Sequence, residues 1–248
     1  QENQFDGFYI GGGLEKAIDN GAIGIALTYS DIDTNQQVSG RGASGELIQG
    51  TLYGVTTFSD LRLDTQISAG VYNTRTSRNV SVADSSFNIT GEDAAFVFSA
   101  ETGLGKVLNL GMFDLTPRVA FRAARIDFSK VAERGGGPAL AYEVGDYDSY
   151  QARAGVSLAG KQGFRPFLNA EYVHDFADRP SAFTANFVGG TGPAVAFALP
   201  GNDQDWAEVS GGIGYQAGNL GLSVSAETTL WRDDLSYQSY QGAVTFRF

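Results

Sequence analysis

The chain has 248 residues, a formal net charge of −11 at pH 7, no cysteine and one histidine, His174. The absence of cysteine excludes disulfides and thiolate chemistry, and a single histidine excludes a metal site built from several imidazoles. The acidic balance argues against nucleic acid, because phosphate recognition requires clustered Lys and Arg. We therefore expect no metal, no other cofactor and no nucleic-acid partner.

The composition favours an all-β protein. The chain contains 33 Gly, 17 Phe and 11 Tyr, and these residues, with abundant Ser, Thr, Asn and Asp, are typical of strands and turns. No stretch approaches the roughly 20 apolar residues of a membrane-spanning helix. A transmembrane strand needs only about 10 residues, of which alternate ones meet lipid, so polar average composition remains compatible with a membrane barrel.

Alternation with a period of two runs along the chain. In residues 22–30, for example, Ile23, Ile25 and Leu27 share one face, while Gly24 and small or polar residues share the other. Eleven segments of transmembrane length follow from this pattern: 5–16, 22–30, 46–58, 61–72, 94–105, 114–128, 150–158, 165–175, 205–216, 222–231 and 240–248. No domain boundary interrupts them, so residues 1–248 are predicted to form one domain.

The connections between these segments alternate in length. Short ones are predicted at 17–21, 59–60, 106–113, 160–164 and 217–221, and longer ones at 31–45, 73–93, 129–149, 176–204 and 232–238. Tight periplasmic turns and long extracellular loops are typical of outer-membrane barrels. The fold class predicted is therefore a transmembrane, antiparallel, up-and-down β-barrel.

The strand count raises a question at the start of the chain. If the last strand ends in the periplasm, eleven crossings place Gln1 outside the cell, whereas single-chain bacterial barrels have even strand numbers. The chain also opens without a start Met or a signal-peptide pattern. We therefore expect a barrel of about twelve strands, with the first strand upstream of the sequence given, unless a weak segment is miscounted.

A soluble β-sandwich would show the same alternation, so other features must decide. Aromatic residues stand near the ends of the apolar rows, as membrane interfaces require; these are Phe8, Tyr29, Phe58, Phe96, Phe98, Tyr150, Tyr172, Tyr215, Tyr240 and Phe248. The opposite rows mix charges of both signs and are predicted to line a lumen; their members are Glu15, Arg62, Asp64, Glu101, Arg118, Arg122, Arg153, Arg165, Glu171, Glu208, Glu227 and Arg247.

The final segment resembles the C-terminal insertion signal of outer-membrane proteins. Its apolar row ends in an aromatic residue and comprises Tyr240, Gly242, Val244, Phe246 and Phe248. The resemblance implies recognition by the barrel-assembly machinery, a place in the outer membrane of a Gram-negative bacterium, and contact with outer-membrane lipid and lipopolysaccharide.

Nearly the whole chain also resembles the translocator domain of autotransporters (type V secretion). The similarity is carried by residues 8–13 (FYIGGG), 24–30 (GIALTYS), 115–122 (LTPRVAFR), 153–156 (RAGV) and 165–172 (RPFLNAEY). This resemblance implies a barrel of twelve strands with an N-terminal helix in its pore. That helix would join the barrel to an upstream passenger polypeptide, which the barrel exports or displays on the cell surface. The family's helix and first strand have no counterpart before Phe5.

No enzymatic activity is expected. Some members of that family release their passenger with lumenal acidic residues, and Asp64 resembles one of these, but pairing with lumenal Arg is the preferred interpretation. His174 and Asp175 are the one possible catalytic pair, and an interfacial histidine is preferred.

Two further functions stay open. A small passive porin would need a loop folded into the lumen, for which 176–204 is the candidate. Alternatively, the long loops would bind a surface partner, with Asp146, Asp148, Asp203 and Asp205 able to hold a divalent cation. A monomer is expected, because the chain can nearly close a barrel by itself.

Overall fold

The structure is a computed structural model that describes residues 5–34, 41–161, 163–177, 182–190, 193–198, 203–233 and 236–246. Two predicted positions, Arg247 of the lumenal row and Phe248 of the insertion strand, lie outside these ranges. Within the described residues, no helix is long and apolar enough to cross a membrane.

The described chain forms sixteen β-strands. They are β1 (Phe5–Ile18), β2 (Gly21–Thr34), β3 (Arg41–Phe58), β4 (Leu61–Val82), β5 (Ser85–Lys106), β6 (Leu108–Asn109), β7 (Phe113–Asp127), β8 (Lys130–Ala132), β9 (Leu140–Glu143), β10 (Tyr147–Gly160), β11 (Phe164–Asp175), β12 (Ala182–Phe187), β13 (Val195–Ala198), β14 (Asp205–Ala217), β15 (Leu220–Leu230) and β16 (Gln238–Phe246).

Eleven strands form one antiparallel sheet in the order β1-β2-β3-β4-β5-β7-β10-β11-β14-β15-β16, with the short β6 added beside β7. Each of the eleven segments predicted from the sequence falls on one of these strands, and the antiparallel β-barrel fold class is confirmed. The sheet is curled, as shown by Glu15 of β1 and Glu227 of β15, which line the same cavity. Its end strands β1 and β16 are not paired with each other in the described residues.

The two faces of the curled sheet differ as the alternation predicts. The convex face carries exposed apolar side chains, among them Ile10 (67% exposed), Leu52 (57%) and Val224 (62%). A soluble protein would bury such rows, whereas a lipid solvent accepts them. The concave face carries the charged and polar rows.

Two predicted loops are largely strand. Residues 73–93 continue the β4 and β5 ladder to a two-residue turn at Ala83 and Asp84, so that each strand has 22 residues. Likewise, part of 31–45 belongs to β2 and β3. The loop prediction was wrong here because a strand that leaves the membrane loses its lipid-facing apolar row while keeping its backbone pairing.

The other long connections also contain strands. Residues 129–149 include β8 and β9, and 176–204 include β12 and β13, which together form a separate sheet in the order β13-β12-β9-β8. We call this four-stranded unit the loop sheet. Its strands are short, between three and six residues, which is why alternation did not reveal them.

Candidate functional site

The concave face of the large sheet encloses a cavity of about 590 Å³. Nine of the charged residues predicted to face a lumen line it: Glu15, Arg62, Asp64, Glu101, Arg118, Arg153, Glu171, Glu208 and Glu227. Arg122 lies on the same face of β7 as Arg118 and is partly buried. Arg165 lies on the same face of β11 as Glu171 and is exposed.

Arg118 on β7 joins three carboxylates from three other strands. Its Nε lies 3.1 Å from Asp64 Oδ1 on β4, its Nη2 lies 2.6 Å from Glu101 Oε1 on β5, and its Nη1 lies 2.8 Å from Glu171 Oε1 on β11. The guanidinium therefore uses its fork of donors in three directions. This arrangement fixes the relative positions of four strands from the lumen side.

A glycine makes this reach possible. Asp64 pairs in register with Gly103 of the intervening strand β5, and a Cβ at Gly103 would stand 2.4 Å from Arg118 Nη2. The absence of a side chain lets the guanidinium lie flat across β5. Gly24 of β2 has the same role between β1 and β3. The ring of Tyr53 on β3 crosses Gly24, and its hydroxyl donates a hydrogen bond of 3.1 Å to Glu15 Oε2 on β1.

Arg153 on β10 is the second cationic centre, and it is 8% exposed. Its Nε and Nη2 lie 3.1 and 3.0 Å from Glu171 Oε2, its Nη2 also contacts Glu208 Oε2, and its Nη1 lies 3.0 Å from Gln151 Oε1. The other oxygen of Glu208 accepts a 2.9 Å hydrogen bond from Trp206 Nε1. Glu171 thus links the two arginines.

Together these contacts form a continuous band on the lumen wall. We call Asp64, Glu101, Arg118, Arg153, Glu171 and Glu208 the lumenal belt. The belt crosses six neighbouring strands, from β4 to β14. Its two arginines face four carboxylates, so it carries excess negative charge. Glu15 and Glu227 add further carboxylates on β1 and β15.

The predicted insertion strand lies at the edge of the large sheet as β16. Tyr240 (78% exposed), Val244 (60%) and Phe246 (68%) point away from the lumen. Gly242 lies in the same row, and a Cβ there would meet no atom within 4 Å. In the described residues, β16 pairs with β15 alone.

His174 and Asp175 do not form a catalytic pair. They occupy opposite faces of β11: His174 Nδ1 lies 2.7 Å from Asp205 Oδ1, whereas Asp175 is 1% exposed and accepts a 2.8 Å hydrogen bond from Ser149 Oγ. The buried carboxylate also accepts the backbone N–H of Ala177 at 3.1 Å, and so anchors the end of β11.

The loop aspartates proposed to hold a cation have other partners in the structure. Asp146 and Asp148 pair with Arg125, Asp205 pairs with His174, and Asp203 accepts the backbone N–H of Asp233. In the described residues, no group of three or more His, Cys, Asp or Glu side chains is arranged to hold a metal ion.

Comparison with known proteins agrees with this geometry. Residues 2–227 match the profile of a family described as the autotransporter beta-domain. No curated protein matches the sequence significantly.

Three solved structures share the fold at low sequence identity. The translocator domain of the autotransporter NalP from Neisseria meningitidis is 16% identical, with a TM-score of 0.78 over 98% of this chain and 80% of that one. The beta domain of the Bordetella autotransporter BrkA is 15% identical (TM-score 0.61; 98% and 90%). The transport unit of AIDA-I from Escherichia coli is also 15% identical (TM-score 0.58; 98% and 83%). The chain therefore belongs to the autotransporter beta-domain family and is an outer-membrane translocator that exports a passenger.

Proposed function

We propose that the cavity bounded by the lumenal belt is the route of the passenger, and that the barrel afterwards anchors the passenger at the cell surface. The observation that carries this proposal is the self-contained pairing of the belt. Arg118 and Arg153 both find their carboxylate partners on the wall itself. Because neither arginine needs a partner from a passing chain, the belt does not require a carboxylate from the passenger sequence.

The belt carboxylates have a structural rather than a catalytic role in this proposal. Asp64 has both oxygens engaged by Arg118, and Glu208 has its oxygens engaged by Arg153 and Trp206. A general base must be free to accept a proton from its substrate. Carboxylates held by strong charge-assisted hydrogen bonds are poor candidates for that task.

We propose that the exposed outer row of β16 meets lipid, as the outward rows of the other strands do, and that it is also recognised by the assembly machinery. Tyr240, Gly242, Val244 and Phe246 form this row, and Phe248 continues it in the sequence. We further propose that the protein acts as a monomer, that residues 1–248 are one domain, and that lipopolysaccharide surrounds its outer end.

The experiment that tests this function is surface display of the passenger in the full-length protein. Intact cells are treated with a protease, and passenger cleavage is compared with that of cells in which the barrel carries Val244→Arg. Expected is rapid cleavage with the natural barrel and protection with the variant. A passenger that stays protected although the barrel is folded in the outer membrane would contradict the proposal.

A passive porin is the second candidate, and one observation favours it. The lumen holds a cavity of about 590 Å³ lined by charged side chains, and charged side chains that ring an open lumen are a feature of selective pores. Planar-bilayer recordings of the complete protein separate the two functions. A large, stable conductance with the passenger attached favours a porin, and a plugged lumen favours the translocator.

A further inference from the structure

The loop sheet continues the wall of the barrel outward. Tyr147 of β10 is opposite Ile126 of β7, and four residues further out Glu143 of β9 is opposite Lys130 of β8, so the β8–β9 ladder keeps the register of the β7–β10 ladder. The pairing of β12 with β9 and with β13 likewise continues that of β11 with β10 and with β14, within one residue. The loop sheet is therefore a raised section of the outer rim.

Contacts across β5 show which face of the loop sheet is continuous with the lumen. Gly103 and Gly91 lie on the same face of β5, because an even number of positions separates them in an uninterrupted ladder. The lumenal side chain of Arg118 crosses Gly103, and a Cβ at Gly91 would stand 3.3 Å from Val131 Cγ1 and 3.5 Å from Glu133 Cγ. Val131 and Glu133 therefore point to the lumen side.

The lumen side of the loop sheet is apolar. Directly opposed residues of antiparallel strands share a face, and one such row crosses all four strands through Val131, Tyr142, Ala185 and Val195. Phe183 and Phe197 are the next opposed pair on this face, with stacked rings 5.4 Å apart. The ring of Phe183 also lies 5.6 Å from that of Tyr142.

Much of this apolar face is open to solvent. Phe187 is 56% exposed, Val195 50% and Phe197 39%. The opposite face carries the ion pair of Lys130 and Glu143, whose side chains are 79% and 55% exposed, so it does not meet the hydrocarbon of the membrane. The polarity of the rim is thus the reverse of that of the barrel, and an exposed apolar patch of this kind marks an interaction site.

The loop sheet also ends in an open edge. In the part of the chain that the structure describes, β13 pairs with β12 alone. Its sequence, Val195–Ala198, contains neither a charged residue nor a proline, which are the residues that commonly protect an edge from further pairing. An extended peptide can add to such an edge as a new strand and place alternate side chains on the apolar face.

The size of the face indicates the kind of partner. Four strands of at most six residues, about 4.8 Å apart, give a face of about 400 Å². A stable interface between separate molecules buries about 800 Å² on each partner, so this face is too small for a second copy of the chain or another protein. A passenger belongs to the same polypeptide, and covalent linkage raises its effective concentration at the mouth to roughly millimolar values.

We propose that the apolar side of the loop sheet, together with the edge of β13, is a docking site for the passenger. An extended segment of the passenger pairs with β13 as it leaves the lumen, and its alternate apolar side chains pack against Phe183, Phe187 and Phe197. The inference rests on the proposed route of export, and it adds a binding site at the exit.

The test is photo-crosslinking of the full-length protein in intact cells. The photoreactive residue p-benzoylphenylalanine replaces Phe187, on the apolar face of β12, or Asn186, the matched control on the opposite face of the same strand; both positions are exposed. Mass spectrometry identifies the joined peptides and so distinguishes the passenger from a second barrel or another protein. Heat-dependent gel mobility verifies that each barrel is folded.

Expected is a crosslink from position 187 to a peptide upstream of the barrel, and a several-fold weaker one from position 186. Phe197→Asp is expected to reduce the crosslink from position 187 several-fold, because it places a charge on the apolar face. Ala196→Asp, on the opposite face of β13, is expected to reduce it far less. A crosslink that Phe197→Asp leaves unchanged in a folded barrel would contradict docking on this face.

Passenger display is scored in the same cells by protease treatment. Display with no crosslink at position 187, or with equal crosslinks at both positions, overturns the docking site and leaves the export function intact. A crosslink to a second barrel or to a different protein overturns the passenger as the occupant. If the passenger fails to appear with the natural chain, the proposed route of export fails, and the docking site fails with it.

Discussion

Glu171 and Glu208 lie directly opposite each other on β11 and β14, and the guanidinium of Arg153 joins their carboxylates. Like charges at directly opposed positions of neighbouring strands are destabilising unless a cation lies between them. Arg153 therefore stabilises the pairing of β11 with β14, because its guanidinium contacts both of the opposed carboxylates.

Replacement of Arg153 by alanine is therefore expected to destabilise the barrel. Breaking a fully buried ion pair costs about 3–5 kcal/mol. Because Glu171 and Glu208 keep 20% and 24% of their side-chain surface exposed, we expect about 2 kcal/mol after allowance for solvent screening. Urea unfolding of the barrel in lipid vesicles, followed by tryptophan fluorescence, measures the change.

Two further variants make the cause identifiable. Arg153→Ala combined with Glu208→Gln is expected to recover part of the loss, because one of the two opposed charges is removed. Arg75→Ala breaks a pair whose members are 69% and 72% exposed, and is expected to change stability by less than about 1 kcal/mol. No recovery in the double variant would rule out charge repulsion as the cause.

A second prediction concerns Gly103, which Arg118 crosses to reach Asp64. Gly103→Ala places a Cβ against the guanidinium, so the side chain must leave at least one partner, at a cost of about 1–3 kcal/mol. In an Arg118→Ala background, the same substitution is expected to cost far less. Gly50→Ala is the matched control, since the atom nearest its Cβ is 3.9 Å away.

A double-mutant cycle in urea gives the coupling directly. Additive effects of Gly103→Ala and Arg118→Ala would show that the glycine is needed for another reason, such as backbone conformation. A coupling of about 1 kcal/mol or more supports the crossing as the reason for glycine at this position.

The sequence was sufficient to predict the eleven long strands because lipid on one side and a wet lumen on the other impose a strict period of two. The sequence also allows a prediction of which face is lumenal, since Asp64 and Arg153 each share a phase with other polar residues of their strands. Beyond the membrane, the alternation of apolar and polar residues no longer marks the strands. β4 and β5 continue beyond it as polar strands, and alternation gave no indication of their length.

The partners within the lumen could not be predicted from the sequence. Arg118 and Asp64 are separated by 54 positions, and their contact depends on strand register, barrel curvature and the missing side chain at Gly103. None of these is a local property of the chain. One sequence signal could have suggested these contacts across a strand. It is a glycine on the lumenal row of one strand with an Arg or Tyr on the lumenal row of the next.

A third prediction addresses the edge strand β16. Val244 faces outward and is 60% exposed, so Val244→Arg places a charge in lipid, at a cost of about 2–4 kcal/mol near the midplane. Gln241→Arg is the matched control, because Gln241 lies on the lumenal row of the same strand. Expected is a reduced folded fraction in the outer membrane for Val244→Arg alone, measured by heat-dependent gel mobility. Equal folded fractions would show that the outward row of β16 does not meet lipid.

The last prediction concerns the apolar core beside the loop sheet. Ile89 is fully buried and precedes Thr90, which pairs with Arg134 just after β8. Ile89→Ala removes apolar volume at a cost of about 2–5 kcal/mol. That loss falls on a small unit with few other apolar contacts, so the loop sheet is expected to open while the barrel below stays folded. Protease treatment of intact cells should then cut within 128–146, and the belt strands should remain resistant. Val82→Ala, at an exposed position of the same hairpin, should leave the segment protected. Loss of the whole barrel in Ile89→Ala would instead mean that the loop sheet and the membrane strands unfold as one cooperative unit.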